Sequence, residues 1–351
     1  MLAQRMLYLI NTYYQLYMRL LCAFALLFTL AQRGYGQQLR QLSNKNASRQ
    51  AKAVYSYLQD MYGKKMLAGQ MTSNWGDDEL KYVKDSTGKL PAIRGLDFMD
   101  SAKNKAEVKY AKRWWRNGGI PTIMWHWGAP SIGSGYENSK KQIDIDKIFE
   151  DGTPEHIAFW KEMDEKAALL KKLQRANIPV LWRPFHELNG DWFWWGKQGP
   201  ERFKRLWITM YDYYVNQKGL NNLIWVLCYM DEPDAAWYPG DAYVDIAGPD
   251  TYKKEQSQIV MYQRTRAIVG NVMPIAFHEC GVPPDPEASF KQGAKWSWFM
   301  QWHTNYLREV PVKHLRHVYH HDLVVTLDEV PNIVKVYGGK RSLWEWLGDL
   351  F

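Results

Sequence analysis

The chain has 351 residues, room for one α/β barrel of about 250 residues or more, and at 46% hydrophobic it is too apolar for general disorder. Its formal charge of +8 is scattered, with no basic run longer than a pair, so it lacks the basic patch of a nucleic-acid binder. The 18 Trp and 22 Tyr stand out: either the core is rich in indoles, or aromatic faces are set aside for ligands such as sugars, whose C–H faces lie flat on a ring.

Residues 1–36 hold three arginines (Arg5, Arg19, Arg33) and no Lys, Asp or Glu. Arg19 precedes the apolar run Leu20 to Leu30, and Gly34-Tyr35-Gly36 follows. Charge, a short apolar run and then small residues is the pattern of a cleaved signal peptide. The run is too short to span a membrane. The expectation is cleavage after about Gly36 and a secreted or periplasmic product, 37–351, with no membrane insertion of the mature chain.

From there, short apolar runs alternate with longer amphipathic segments. The strand candidates are 66–70, 91–97, 121–126, 179–187, 223–228, 243–250, 273–279 and 296–302. Helix candidates fall between them at 47–61, 102–117, 154–176, 201–217 and 257–269. Eight strands interleaved with helices predict parallel βαβ units and a closed (β/α)8 TIM barrel, a single catalytic domain. An open doubly wound sheet would want a G-x-G-x-x-G turn, and none exists. The loop 130–153 is long enough to wall off one end of a groove. The last fifty residues, including 324–329, read as a closing helical or extended tail.

Cys228 and Cys280 fall on the fifth and seventh predicted strands. Two strand spacings, ~9–10 Å, exceed the ~7 Å limit for a bridge, so both are expected to be free thiols.

Polar residues gather at the strand ends: Asp97, His126, His186-Glu187, Asp250-Thr251-Tyr252, His278-Glu279 and Trp302. Barrel enzymes place their chemistry at these carboxyl ends. Leu181 to Gly196 reads Leu-Trp-Arg-Pro-Phe-His-Glu-Leu-Asn-Gly-Asp-Trp-Phe-Trp-Trp-Gly, a His-Glu pair running into a loop too apolar to be bare. That loop is either a Trp-rich plug on the core or a ligand surface. Asp97 is expected to pair with Arg94 or Arg183, or else to serve the site. Three strand-end histidines, His126, His186 and His278, with a Glu could bind zinc, but none of them sits in an H-x-x-x-H spacing and no C-x-x-C pair accompanies them.

The stretch R-P-F-H-E-x-N-G-x-W-F-W-W-G resembles the acid/base signature of glycoside hydrolase family 26, the β-mannanases and relatives. Pro91–Asp100, Pro121–Trp127, Gly248–Tyr252, Pro274–Gly281 and Trp298–Trp302 resemble its second, third, sixth, seventh and eighth strands in order. The likeness runs from Ala47 to Asn332. It implies Glu187 as general acid/base and Glu279 as nucleophile. It also implies that His126, His186, Trp192 and Trp302 line the sugar subsites, that Tyr252 hydrogen-bonds the nucleophile, and that Asp250 orients sugar hydroxyls. His278, before the nucleophile, and His303, after Trp302, depart from the family pattern.

The resemblance implies a cofactor-free, retaining hydrolase of β-1,4-mannosidic bonds in mannans and manno-oligosaccharides, a monomer or weak dimer. The long 130–153 loop adds the expectation that mannobiose is released from chain ends. Acetal hydrolysis needs one protonated and one ionised carboxyl at the same pH, so the two glutamates must stand in different environments. Another β-glycan (β-1,3-1,4-glucan or β-1,3-xylan) on the same scaffold is the alternative. A non-catalytic mannan-binding protein would have lost a carboxylate, and both are present.

Overall fold

Apolar runs become strands here because both faces of each are covered, as parallel sheets require. In a computed structural model, which describes residues 39–73, 76–254 and 257–339, every strand residue is buried. The signal-peptide expectation for 1–36 lies outside the described residues. The strands are β1 (Met66–Met71), β2 (Ile93–Asp97), β3 (Ile120–Trp125), β4 (Val180–Pro184), β5 (Leu223–Cys228), β6 (Ile246–Gly248, resumed as Asp250–Thr251), β7 (Phe277–Cys280) and β8 (Trp298–Gln301).

Neighbours in sequence pair in parallel from β1 to β6, and β8 pairs back onto β1 through Ala68↔Phe299. The ring closes at β6. Its first half pairs with β5, while its second half, past Pro249, pairs Asp250 with Glu279 of β7. A single bridge, Ala247↔Ile275, spans the seam. Gly248 makes that approach possible, since a Cβ there would lie 1.9 Å from the Ala276 carbonyl oxygen. The (β/α)8 barrel expected from the strand count is therefore present.

Strand alternation divides the core in two. Leu67, Ile93, Ile120, Leu181, Ile224 and Trp298 fill the barrel with α1 (Arg49–Met61), which packs Val54 and Leu58 among them. Ser48 caps α1, its Oγ accepting from Ala51 N at 3.2 Å. Tyr55 Oη donates to Asp245 O, tying the helix to the entrance of β6. Outward residues such as Ile123, Val180, Trp225 and Phe277 pack under α3 (Asn104–Arg116), α4 (Pro154–Gln174), α5 (Pro200–Asp212) and α6 (Ile259–Val269). The helix expected over 201–217 is α5 plus one π-helical turn, Tyr213–Gln217. Helix α2 (Asp78–Thr87) and α7 (Pro286–Gln292) had no counterpart among the expected helices, while α8 (Val312–Tyr319) falls in the tail expected to be helical or extended. The closing tail is a two-residue strand, Val324–Val325, against β1 and a short helix, Ile333–Tyr337.

Eight tryptophans (Trp127, Trp182, Trp194, Trp195, Trp207, Trp225, Trp296, Trp298) are among the largest fully buried side chains. With Trp114 and Trp125, which are also buried, ten of the 18 tryptophans are core. Cys228 and Cys280 are free thiols, both buried. Among the described residues no helix is long and apolar enough to cross a membrane.

Candidate active site

A cleft of about 650 Å³ opens at the carboxyl ends of the strands. Glu187, Glu279, His126, His186, Trp192, Tyr252 and Trp302 all line it. Asp250 does not; it is fully buried behind the two glutamates.

Glu279 stands on β7, 2% exposed. Its Oε1 accepts a short hydrogen bond from Tyr252 Oη. Its Oε2 is buried and has no hydrogen-bond partner among the described residues. Burial raises Tyr252 above the ordinary phenol range, and Glu279 adds to this, so the phenol keeps its proton and donates.

Glu187 was expected to end β4, but β4 stops at Pro184 and Glu187 lies three residues on. Phe185 (φ 50°) and Glu187 (φ 52°) both adopt left-handed backbone, which costs a non-glycine residue roughly 1–2 kcal/mol. The turn is pinned by Leu188 N to Cys228 O (3.0 Å) and Gly190 N to Glu187 O (2.9 Å). Asn189 adds two ties, accepting from Met230 N and donating to Glu232 O. Trp192 Nε1 then donates to Glu187 Oε2 at 2.6 Å. Its ring can fold back because Gly190 has no Cβ, which would lie 2.7 Å from the indole. The neighbouring Phe193, Trp194 and Trp195 are buried, so this loop is at once a plug and a site wall. Of the tryptophans near Glu187 in sequence, Trp182 and Trp194 turn into the core.

Carboxylate oxygens from Glu187, Asp250 and Glu279 lie within 4.8 Å of one another. Three charges this close cannot all persist in a buried site. Burial, then the charge of Glu187, raises Glu279; Arg183, Tyr252 and His126 oppose the rise. Burial and the charges of both glutamates push Asp250 well up, and no donor among the described residues reaches its oxygens. The cluster therefore holds protons. Three groups, Arg183, Tyr252 and His126, favour the Glu279 anion against that rise.

Across the cleft, Asp97 does not pair with either arginine. Arg94 sits an odd number of positions before it, so the two side chains leave opposite faces of β2, and Arg94 binds Asp77 instead. Asp97 takes His126, accepting from its backbone N at 3.0 Å and contacting Nδ1 through Oδ2. Burial opposes charge on His126, but Asp97 and more distantly Glu279 and Glu187 outweigh it, so its pKa rises. His126 Nε2 meets His186 Nε2 at 3.1 Å. Burial and the charge of His126 lower His186 well below the usual histidine range, so His186 accepts that bond. The three histidines do not form one ligand set, because His278 faces Arg183 and the Tyr229 carbonyl. The carboxylate trio is the one grouping of metal-ligand spacing among the described residues.

Trp302 forms a wall near His126, with ring centroids 6.2 Å apart. His303, the other departure, also lines the cleft beside it. Tyr136, Met230 and Tyr306 line the cleft as well and were not singled out from sequence. The two tyrosines are 44% and 45% exposed, and an aromatic residue in a polar loop was the one available signal. Of the loop 130–153 only Tyr136 reaches the cleft; the loop packs on the Trp-rich segment through Trp194 N to Ser139 O (2.9 Å) and Lys197 Nζ to Lys140 O (2.5 Å).

Comparison with known proteins places these features. The family model of glycosyl hydrolase family 26 matches residues 43–329. A mannan endo-1,4-beta-mannosidase of Thermothelomyces thermophilus is 36% identical over 312 residues, 83% of this chain and 63% of that protein. Another, mannan endo-1,4-beta-mannosidase B of Piromyces sp., is 32% identical over 83% of this chain and 54% of its own length. The chain thus spans about half to two-thirds of these relatives. Among solved structures, a β-mannanase from a symbiotic protist of the termite Reticulitermes speratus, complexed with gluco-manno-oligosaccharide, has a TM-score of 0.78 at 33% identity, covering 84% of this chain and 99% of that one. The Podospora anserina β-(1,4)-mannanase gives 0.77 at 32% identity, covering 85% and 70%.

Proposed function

This chain belongs to glycosyl hydrolase family 26, and from that premise we propose that it hydrolyses β-1,4-mannosidic bonds with retention, Glu279 attacking and Glu187 moving the proton. The observation that carries this reading is the spacing of the carboxylates. Oxygens of Glu187 and Glu279 within 4.8 Å leave no room for the attacking water of an inverting enzyme.

In the first step a carboxylate oxygen of Glu279 bonds to the anomeric carbon while Glu187 gives its proton to the departing glycosidic oxygen. In the second, water attacks the same carbon, Glu187 takes a proton from it, and the bond to Glu279 breaks. Tyr252 fixes the Glu279 carboxylate by donating to Oε1. His126, His186, Trp192 and Trp302 shape the sugar subsites, with Trp302 as a stacking wall. Asp250, being buried, serves this site through the glutamates, and a proton on it can bridge to Glu187.

Cutting inside chains fits this cleft better than release of mannobiose from chain ends, because the loop expected to close it contributes only Tyr136. Internal cleavage is also what the names of the relatives describe. Export with removal of residues 1–36 completes the reading, and intact mass of the mature protein tests it. Proton NMR of the first product from mannohexaose tests the chemistry: the β-anomer should precede mutarotation, and an α-anomer appearing first refutes retention. Galactomannan viscosity should fall before soluble dimer accumulates; the opposite order would restore the chain-end mode.

A further inference from the structure

Arg183 lies inside the barrel on β4, fully buried, with no ion-pairing carboxylate among the described residues. A guanidinium so placed needs compensation. Its Nη1 donates to His278 O at 2.5 Å and to His278 Nδ1 at 3.2 Å. Its Nη2 faces the sulfurs of Met124 (3.4 Å) and Met71 (3.8 Å). The carbonyl it grips belongs to the peptide that joins His278 to Glu279, so its charge sits directly under the cleft.

His278 is buried and outside the cleft. Its Nε2 lies 2.9 Å from the Tyr229 carbonyl, which can only accept, so the ring proton is on Nε2. Its Nδ1 must then offer a lone pair, and Arg183 takes it. Burial and the charge of Arg183 lower its pKa to about 3, so the ring stays neutral.

We propose that His278 is a positioning residue: its neutral Nδ1 pins the Arg183 guanidinium against the Glu279 peptide, where that charge favours the carboxylate form of Glu279. The proposal rests on Glu279 being the nucleophile. Glu187 from the loop after β4, Asp250 and Tyr252 from β6, His126 after β3, Cys228 on β5 and Cys280 beside it are the other titratable groups around Glu279. Arg183, Tyr252 and His126 favour its anion, and of these the guanidinium carries a fixed positive charge throughout the working range.

The test uses an aryl β-mannoside with a leaving group that needs no protonation, so that the acid limb of kcat/KM reports Glu279. His278→Asn keeps an acceptor at the Nδ1 position, while His278→Gln keeps the donor to Tyr229 and loses that acceptor. The Gln variant should move the acid limb up by about one pH unit, which lowers kcat/KM roughly tenfold at pH below it, through kcat and not KM. The Asn variant should restore the limb. A Gln limb at the wild-type pH, or an Asn limb displaced as far as the Gln one, overturns the proposal. Ring ¹⁵N NMR of the wild-type enzyme reads the same point without any variant: Nδ1 of His278 should be unprotonated from pH 5 to 8, and a proton there also overturns it. Turnover by Glu279→Ala would instead overturn the nucleophile reading; a dead Glu279→Ala with an unmoved Gln limb removes His278 alone.

Discussion

The two glutamates of the cleft are held in unlike ways. Glu279 stands within a strand, paired through Asp250↔Glu279 on one side and at a register shift against β8 on the other, and its side chain is almost fully covered. Glu187 stands past the end of its strand, in left-handed backbone, held by a turn, an asparagine and one indole. A strand ladder places an atom by backbone geometry, whereas a turn places it through side-chain contacts. A nucleophile that must reach carbon along one line is suited to the first. An acid/base that serves a leaving oxygen and later a water is suited to the second.

Removing each carboxylate is the sharpest way to break this contrast. Glu279→Ala should abolish turnover on every substrate. Glu187→Ala should lose natural substrates yet retain turnover of activated aryl mannosides, and azide should accelerate it, since that anion needs no base. Equal failure of both on an activated substrate would erase the assigned difference.

Next in size is Tyr252→Phe, which strips the one donor from Glu279 Oε1. A loss of roughly 10²-fold or more in kcat is expected for a preorganised donor, and steady-state kinetics with an unchanged kcat would take Tyr252 out of the mechanism. Trp192→Phe keeps an aromatic ring but loses the N–H to Glu187. Its expected cost is smaller, about tenfold, in line with the loss of one hydrogen bond. A larger loss than Tyr252→Phe would show that the turn, not the ladder, is the more exacting support.

The smallest effect concerns stability and uses a third buried glutamate as reference. Glu107 on α3 is 1% exposed, and neither carboxylate oxygen has a partner among the described residues. Burial, eased by Arg94 and reinforced by Asp97, raises its pKa to about 8. The unfolded value is about 4.3, so between these limits the folded state holds one proton more than the unfolded chain. Stability should therefore fall as pH rises through that window, by about 1.4 kcal/mol per unit from this group. Glu107→Gln should flatten that component, seen as a smaller drop in melting temperature between pH 5 and 7.5. A variant with the wild-type slope would show that Glu107 is ionised after all.

Strand number and order were legible because each strand is short, apolar and bounded by turn residues, a local property. The short helices α2 and α7 were missed because they carry too few apolar positions to set a period. The extent of β4 was misread because Phe185 to Glu187 continues an extended-looking run, and nothing local in Phe-His-Glu announces left-handed backbone. The tryptophans stayed unassigned for a different reason: composition counts indoles but does not place them, and one loop sends Trp192 to the cleft and Trp194 to the core.

The amino-acid sequence alone determined the barrel, the family and the residue types at the strand ends, since periodicity and contiguous motifs are written in neighbouring residues. Only the tertiary structure decided that Asp97 takes His126 and not an arginine, that Asp250 hides behind the glutamates, and that Arg183 leans on His278. Those choices depend on which side chains meet across the barrel, over separations of 29 to 95 residues, and on burial that sets charge. Neither distance nor dielectric is a property of a stretch of chain; both appear only when the ring of strands closes.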